Sequence, residues 1–305
     1  MMTYKIIAIS ILLFFFNSSC LRKGCTDSYS LSYNENASTG DYSCTYPDTI
    51  KRVLMFRTTS NSLSPNWPST NLHYSWMDYF VNQYPLLDLI NIHYDGDLQT
   101  SFGDSIVKFL YGDCMYSSSN SYYSYDWFIG TQSMFNVQNP LNQNTIISEL
   151  NSEINNEVQI AIDLDYEIVN QGSNDVMEIS VQCQKINTYT SSSYHLAVYI
   201  LEDNIIAPIT NSSAPISSFE FNNVLRAVAT RKRPSGTDNF DNCDRGFMGI
   251  EISFDDNKAL VKFSHPLKNN WNTSNCYPTA VIWRDEGNSV SIESFEYVNS
   301  LRGKN

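Results

Sequence analysis

Four histidines, seven cysteines and a scatter of carboxylates are the residues of this 305-residue chain that could do chemistry, and their spacing limits what that chemistry is. His93, Asp95 and Asp97 follow a predicted strand closely enough to ligate a metal, but a strand-end turn with solvated carboxylates is the simpler reading. His73, His195 and His265 share no spacing that links a base to a nucleophile. Cys114, Cys183, Cys243 and Cys276 form no Cys-x-x-Cys, so neither a zinc ribbon nor a redox pair is indicated. Sequence alone leaves their pairing open. Cys243 and Cys276 flank a predicted hairpin and are the pair expected to bridge, while Cys114 and Cys183 read as buried thiols. Carboxylate pairs are too numerous to mark a glycosidase dyad. No catalytic residue is assigned, and an enzyme is not expected.

Other residues suggest anchoring and binding. Lys5 precedes an apolar run over residues 6–16, followed by Asn17-Ser18-Ser19-Cys20, which is the layout of a secretory signal. The run is too short to span a bilayer, which takes about 20 apolar residues. Ser18-Ser19-Cys20 resembles a bacterial lipoprotein box, with Asn17 where Leu is usual; the resemblance implies acylation of Cys20. An exported chain places its remaining cysteines in an oxidising compartment. Cys25 and Cys44 bracket a turn-rich stretch without a core of its own, and a bridge between them would contribute about 3 kcal/mol through chain entropy. Asp27, Asn34, Asn36 and Asp41 within it are oxygen ligands of the type calcium takes, or caps for turns. No other cofactor is expected. Tyr122, Tyr123, Tyr125 and Trp127 crowd a Ser/Tyr-rich loop and the strand after it. Such rings bury large area at small entropic cost, which makes them candidates for a binding surface.

The elements that position these residues follow from periodicity. Residues 52–57 and 87–93 read as buried strands. Between them Leu72, Trp76, Phe80 and Tyr84 recur at helical spacing. Residues 102–111 and 144–157 read as further helices, and 127–129 as a short strand. Strand, helix, strand, helix, strand indicates a parallel-sheet layer fold. Later, Ile179, Val181 and Cys183 alternate with polar residues, as do Leu196, Val198 and Ile200. Ile250, Ile252 and Phe254 are answered across Asp255-Asp256-Asn257 by Ala259, Val261 and Phe263, a predicted hairpin. Residues 281–283 and 290–292 form a second. Short strands with turns at this spacing indicate an antiparallel β-sandwich.

Three resemblances extend this reading. The front half resembles the thioredoxin superfamily, in a branch whose first helix opens on Cys-x-Asn-Cys-Pro. This chain has Ser64-Pro65-Asn66-Trp67-Pro68 there, so Asn66 and Pro68 match while Ser64 and Trp67 replace the thiols. The family's cis-proline would align near Asp126 and is missing. A thiol pair is what that chemistry needs, so a redox-dead domain is implied. Residues 194–206 and the run Phe221-Asn222-Asn223-Val224-Leu225-Arg226-Ala227 resemble signature runs of the twenty-eight-kilodalton outer-membrane protein family of Gram-negative lipoproteins. Phe221 and Asn223 stand where that family usually has His. The resemblance implies a thioredoxin-like domain joined to a β-sandwich. Residues 24–47 also resemble a short Cys-flanked module of exported Gram-negative proteins, with Tyr42 in place of its Gly.

The expected organisation is a signal peptide over 1–19, a lipid-anchored tether with the Cys25/Cys44 module over 20–49, a thioredoxin-like domain over 50–158 and a β-sandwich over 159–305. Removal of residues 1–19, with one Lys and no acid, takes the formal charge from −13 to −14. That charge excludes nucleic acid as the natural partner. The expected function is an outer-membrane lipoprotein, in either leaflet, that binds or scaffolds without catalysis. Its partner would be a protein or glycan. A periplasmic peptide-holding chaperone and a hydrolase with an unrecognised site are the alternatives.

Overall fold

The computed structural model describes residues 21–60, 70–112, 126–134, 142–172, 174–187, 192–209, 216–230, 245–285 and 295–303. They belong to two compact units, one ending at Tyr46 and the other running from Pro47. Among the described residues no helix is long and apolar enough to cross a membrane.

In the first unit the described residues, 21–46, hold almost no aliphatic side chains to bury. It is organised instead by a short parallel pair, β1 (Lys23–Gly24) with β2 (Thr39–Gly40), and by the Cys25–Cys44 disulfide. Hydrogen bonds from Ser30 and Ser32 hydroxyls to carbonyls of Thr45 and Ser43 complete it. The expected bridge is formed.

The second unit begins with β3 (Val53–Thr59), α1 (Thr70–Gln83), β4 (Leu87–His93), α2 (Ser101–Leu110), β5 (Trp127–Ile129), β6 (Gln132–Ser133) and α3 (Gln143–Ile154). β3 and β4 are buried along their whole length, as strands covered on both faces must be. They pair in parallel, β5 adds antiparallel to β3, and β6 to β5. Thr100 caps α2 by accepting from Gly103 N at 3.0 Å, and Asn142 caps α3 by accepting from Asn144 N at 2.9 Å. α1 and α3 cover one face of β3 and β4, where Met77, Phe80, Ile146 and Leu150 meet Val53, Met55 and Leu89. The other face receives Ile106, Val107 and Leu110 of α2.

The rest is β structure: β7 (Ile160–Asn170), β8 (Asp175–Lys185), β9 (Ser193–Glu202), β10 (Ile205–Ile209), β11 (Ile216–Phe221), β12 (Val224–Val228), β13 (Ile250–Glu251), β14 (Lys258–Pro266), β15 (Cys276–Asp285) and β16 (Phe295–Arg302). β14, β8 and β7 form a three-stranded antiparallel sheet. It packs its inner face, including Met177, Ile179, Val181 and Ile162, on Leu196, Val198, Ile200 and Ile282 of β9 and β15. The fold is thus an α/β layer plus a β-sandwich.

The structure differs from the sequence reading in how these parts join. One nine-stranded sheet runs β16-β15-β9-β12-β4-β3-β5-β6, with β13 also on β9. It crosses the boundary expected at residues 158 and 159, so 50–158 and 159–305 are one compact unit. The sheet also curls until β16 returns to the start of β3. Lys51 Nζ donates to Val298 O at 2.6 Å, Arg52 N donates to Asn299 Oδ1 at 3.0 Å, and the Tyr297 hydroxyl donates to Arg52 O at 2.8 Å. Inside this curl Phe56 of β3 stacks on Trp283 of β15 at 6.3 Å.

The first predicted hairpin changes. Asp256 and Asn257 make a tight turn with positive φ, but only Asp255 and Lys258 bridge across it. β14 then pairs with β8 over its full length, from Lys258↔Gln184 to Pro266↔Val176, and β13 pairs with β9. A nine-residue ladder on a half-buried sheet face outweighs a local hairpin. In the second case β15 is answered by β16, with Asp285 opposite Phe295. The expected return strand at 290–292 lies outside the described residues.

Candidate functional site

β3 and β4 end side by side, with Thr59 opposite His93. Ser64, Trp67 and Pro68 lie outside the described residues. Arg57 is buried in β3, with its guanidinium 5.8 Å from the Trp127 ring and Nη1 donating to Met77 Sδ at 3.7 Å. Asp126, where the proline would be, accepts from Trp127 N at 2.7 Å and from the Ser133 hydroxyl at 2.7 Å. Its own N–H donates to Thr58 Oγ1 at 3.0 Å. Its carboxylate is therefore committed to holding the β5–β6 corner.

His93 closes β4. It is buried, its ring meets Phe221 edge-on at 5.2 Å, and neither ring nitrogen has a hydrogen-bond partner among the described residues. Burial first, then the nearby Arg57 and Arg226 charges, hold its pKa down to about 3. It is a neutral, enclosed imidazole and has no contact with solvent through which to exchange protons. Its acid effect has a definite sign. Below about 6.5 the unfolded chain takes up a proton that the folded chain refuses. Stability due to His93 is complete above that value and is lost as pH falls toward about 3. His93→Leu should therefore flatten the fall in urea midpoint across that window. A variant profile as steep as the parent's would assign the acid limb to other groups.

The thiols stand away from this place. Cys183 and Cys276 are free and buried in the core between the two sheets, and burial pushes each up to about 12. The expected Cys243–Cys276 bridge is thus not formed. Cys276 instead points its Sγ at the Asn272 carbonyl at 3.5 Å, and Cys243 and Cys114 lie outside the described residues.

The remaining candidates separate. Trp127 was expected on a binding surface but is fully buried against Phe80 at 5.7 Å. β5 is an inner strand of the sheet, so its large side chains face core on both sides. Tyr122, Tyr123 and Tyr125 lie outside the described residues. Asp27, Asn34 and Asp41 each accept a hydrogen bond from the backbone N–H two residues on, at 3.0 Å. The Asn36 amide oxygen accepts from Arg22 at 3.4 Å. These oxygens cap turns of one small unit. The Ser43 hydrogen bonds hold the exposed Asp41 carboxyl below its ordinary value. His93 is inside the core while Asp95 and Asp97 are exposed, and no group of three His, Cys, Asp or Glu side chains that could hold a metal occurs among the described residues.

Two clefts remain. One, of about 450 Å³, is lined by Lys51, Glu153, Glu157, Gln159, Glu296 and Tyr297. Its charges are spent internally: Lys51 pairs with Glu153 at 2.7 Å and lies 4.6 Å over the Tyr297 ring, and Arg284 pairs with Glu296. The other, of about 500 Å³, is lined among others by Phe102, Asn174, Arg226, His265, Lys268 and Trp271. Arg226 and Lys268 stand over the Trp271 ring at 5.2 and 5.7 Å. Glu202 lies behind, 3.2 Å from Arg226 Nε, and accepts from Asn272 N at 2.8 Å. Sequence reasoning passed over Lys268 and Trp271 and assigned Arg226 no role. Nothing in their local pattern marks them, because β12, the end of β14 and the following loop meet only in the folded chain.

A family model described as outer membrane protein Omp28 matches residues 131–296. Among solved structures, HBP35 of Porphyromonas gingivalis is similar at a TM-score of 0.58 and 10% identity, over 85% of this chain and 76% of that one. A domain of the outer membrane lipoprotein Omp28 from Porphyromonas gingivalis matches at a TM-score of 0.29 and 15% identity, over 48% of this chain and 88% of that one. The first likeness speaks to fold alone. No curated protein sequence matches the chain.

Proposed function

We propose, for a chain that belongs to the Omp28 outer membrane protein family, a role as a lipid-anchored, non-catalytic binding or scaffolding component. The chain is an outer-membrane protein. Its front layer is of thioredoxin type in this reading. The support is the element order β-α-β-α-β-β-α with strands arranged β4-β3-β5-β6 and only β5 running against its neighbours β3 and β6.

The observation that carries the non-catalytic reading is the pair of buried side chains at the ends of β3 and β4. Arg57 and His93 occupy the framework of the redox position, and the described free thiols are buried in another core. A thiolate needs exposure and a lowered pKa; Cys183 and Cys276 have neither. Insulin reduction by the purified full chain should run at background. Turnover above background would sink the reading.

The anchor is acyl chains on Cys20. Each buried CH₂ contributes about 0.8 kcal/mol, so more than one chain holds a protein stably to a bilayer. Cys20→Ala should move the protein from the membrane fraction to the soluble fraction. Intact-mass analysis of native protein showing an unmodified Cys20 would refute the anchor and leave the redox reading standing.

A further inference from the structure

We propose that the cleft between β12, the end of β14 and the loop carrying Trp271 binds an anionic saccharide, a sugar ring bearing a carboxylate, sulfate or phosphate. The proposal rests on the binding role above and gives it a ligand class.

The first support is charge. The chain carries a net −13, yet the described lining of this cleft holds Arg226 and Lys268 and no Asp or Glu. A cleft lined by one sign of charge focuses field and concentrates the opposite ion. Arg226 is also held in place for this task. Its side chain is 11% exposed and paired to the equally enclosed Glu202, which is itself held by Asn272 N–H. Its Nε is turned to Glu202, and no hydrogen bond to a described residue occupies its terminal Nη1 and Nη2. A planar guanidinium with open donors is the side chain suited to a forked oxyanion.

The second support is the floor. The half-buried Phe102 ring and the 7% of Trp271 that stays exposed stand beside Leu267. Apolar ring edges match the C–H groups of a sugar, while the adjoining cations match its charged substituent. A free inorganic anion would leave the indole unused, and a neutral sugar would leave both cations unmet. The third support is size and mixed polarity. About 500 Å³ lies within the range of small-ligand pockets. His265, kept neutral by burial and by Lys268, can donate or accept, as can the exposed Asn174 amide. Such groups suit hydroxyls.

Calorimetric titration of the full chain tests this with glucuronic acid, glucose 6-sulfate, glucose, inorganic sulfate and a Glu-rich peptide as probes. The two charged sugars should bind, with the other three weaker by at least about tenfold, and their affinity should fall with added salt. Lys268 is exposed, so Lys268→Gln should keep the parent Tm while weakening binding by about tenfold, the loss expected for one charge-assisted hydrogen bond. Trp271→Leu should weaken it comparably. Equal binding of sulfate, glucose or the peptide would overturn the ligand class. Undiminished binding in both variants, or no binding of either charged sugar, would overturn the site. Mass spectrometry of a charged disaccharide after incubation separates the two readings: cleavage would leave the cleft assignment standing and refute the non-catalytic role.

Discussion

Trp283→Ala is expected to destabilise the whole of residues 47–305, front and rear together, by about 3–5 kcal/mol. Trp283 is fully buried on β15 and meets rings from both halves. It stacks on Phe56 of β3 at 6.3 Å and meets Phe109 of α2 edge-on at 6.1 Å and Tyr297 of β16 at 6.3 Å. Truncation leaves a void that three other elements line, and a curled sheet cannot collapse into it without shifting its register. The midpoint should fall by roughly 10 °C. Hydrogen exchange followed by mass spectrometry provides the sharper reading. Peptides from β3 and β4 should lose protection in the same step as those from β9 and β15. Front peptides that stay protected while the rear exchanges would show two independent folding units and refute the cooperative role of the shared sheet.

The second large effect is expected at the seam where the sheet returns on itself. Asp88, on β4 and 1% exposed, takes a forked pair of bonds from Arg52, at 2.9 Å from Nε and 2.6 Å from Nη2. It also accepts from the Ser300 hydroxyl of β16 at 2.7 Å. Asp88→Ala removes a buried partner of a largely buried guanidinium, so a loss of about 3–5 kcal/mol follows, mostly from the charge left behind. The double variant Asp88→Ala with Arg52→Met should recover part of that loss, because no orphan charge remains. Urea unfolding of the two single variants and the double one measures it. A single-variant loss below about 1 kcal/mol, the scale of an exposed pair, would mean that the seam is solvated and open.

The elements themselves were readable because their signals are local. β3 and β4 are short apolar runs, and α2 turns one apolar face of Ile106, Val107 and Leu110 inward. Alternation at 179–183 and 196–200 marked β8 and β9. The Cys25–Cys44 bridge was readable because a segment so poor in aliphatic residues has little else to hold it. What misled was also local. A type of turn that favours hairpins at Asp256-Asn257 was correctly placed, but the strands it joins find other partners. Trp127 looked like a surface ring because its neighbours Tyr122 to Tyr125 sit in a polar loop, whereas its own strand is internal.

By itself the sequence determined an exported, acidic chain, an α/β front and a β-sandwich rear. These follow from residue types and from periods of a few residues, which is the range over which backbone geometry correlates side chains. Only the tertiary structure decided that front and rear share one curled sheet, that Cys276 stays a free thiol, and that Arg226, Lys268 and Trp271 line one cleft. Each of these depends on contacts between strands far apart along the chain. Their pairing is chosen by the fit of whole buried faces, and no short stretch of sequence records that fit.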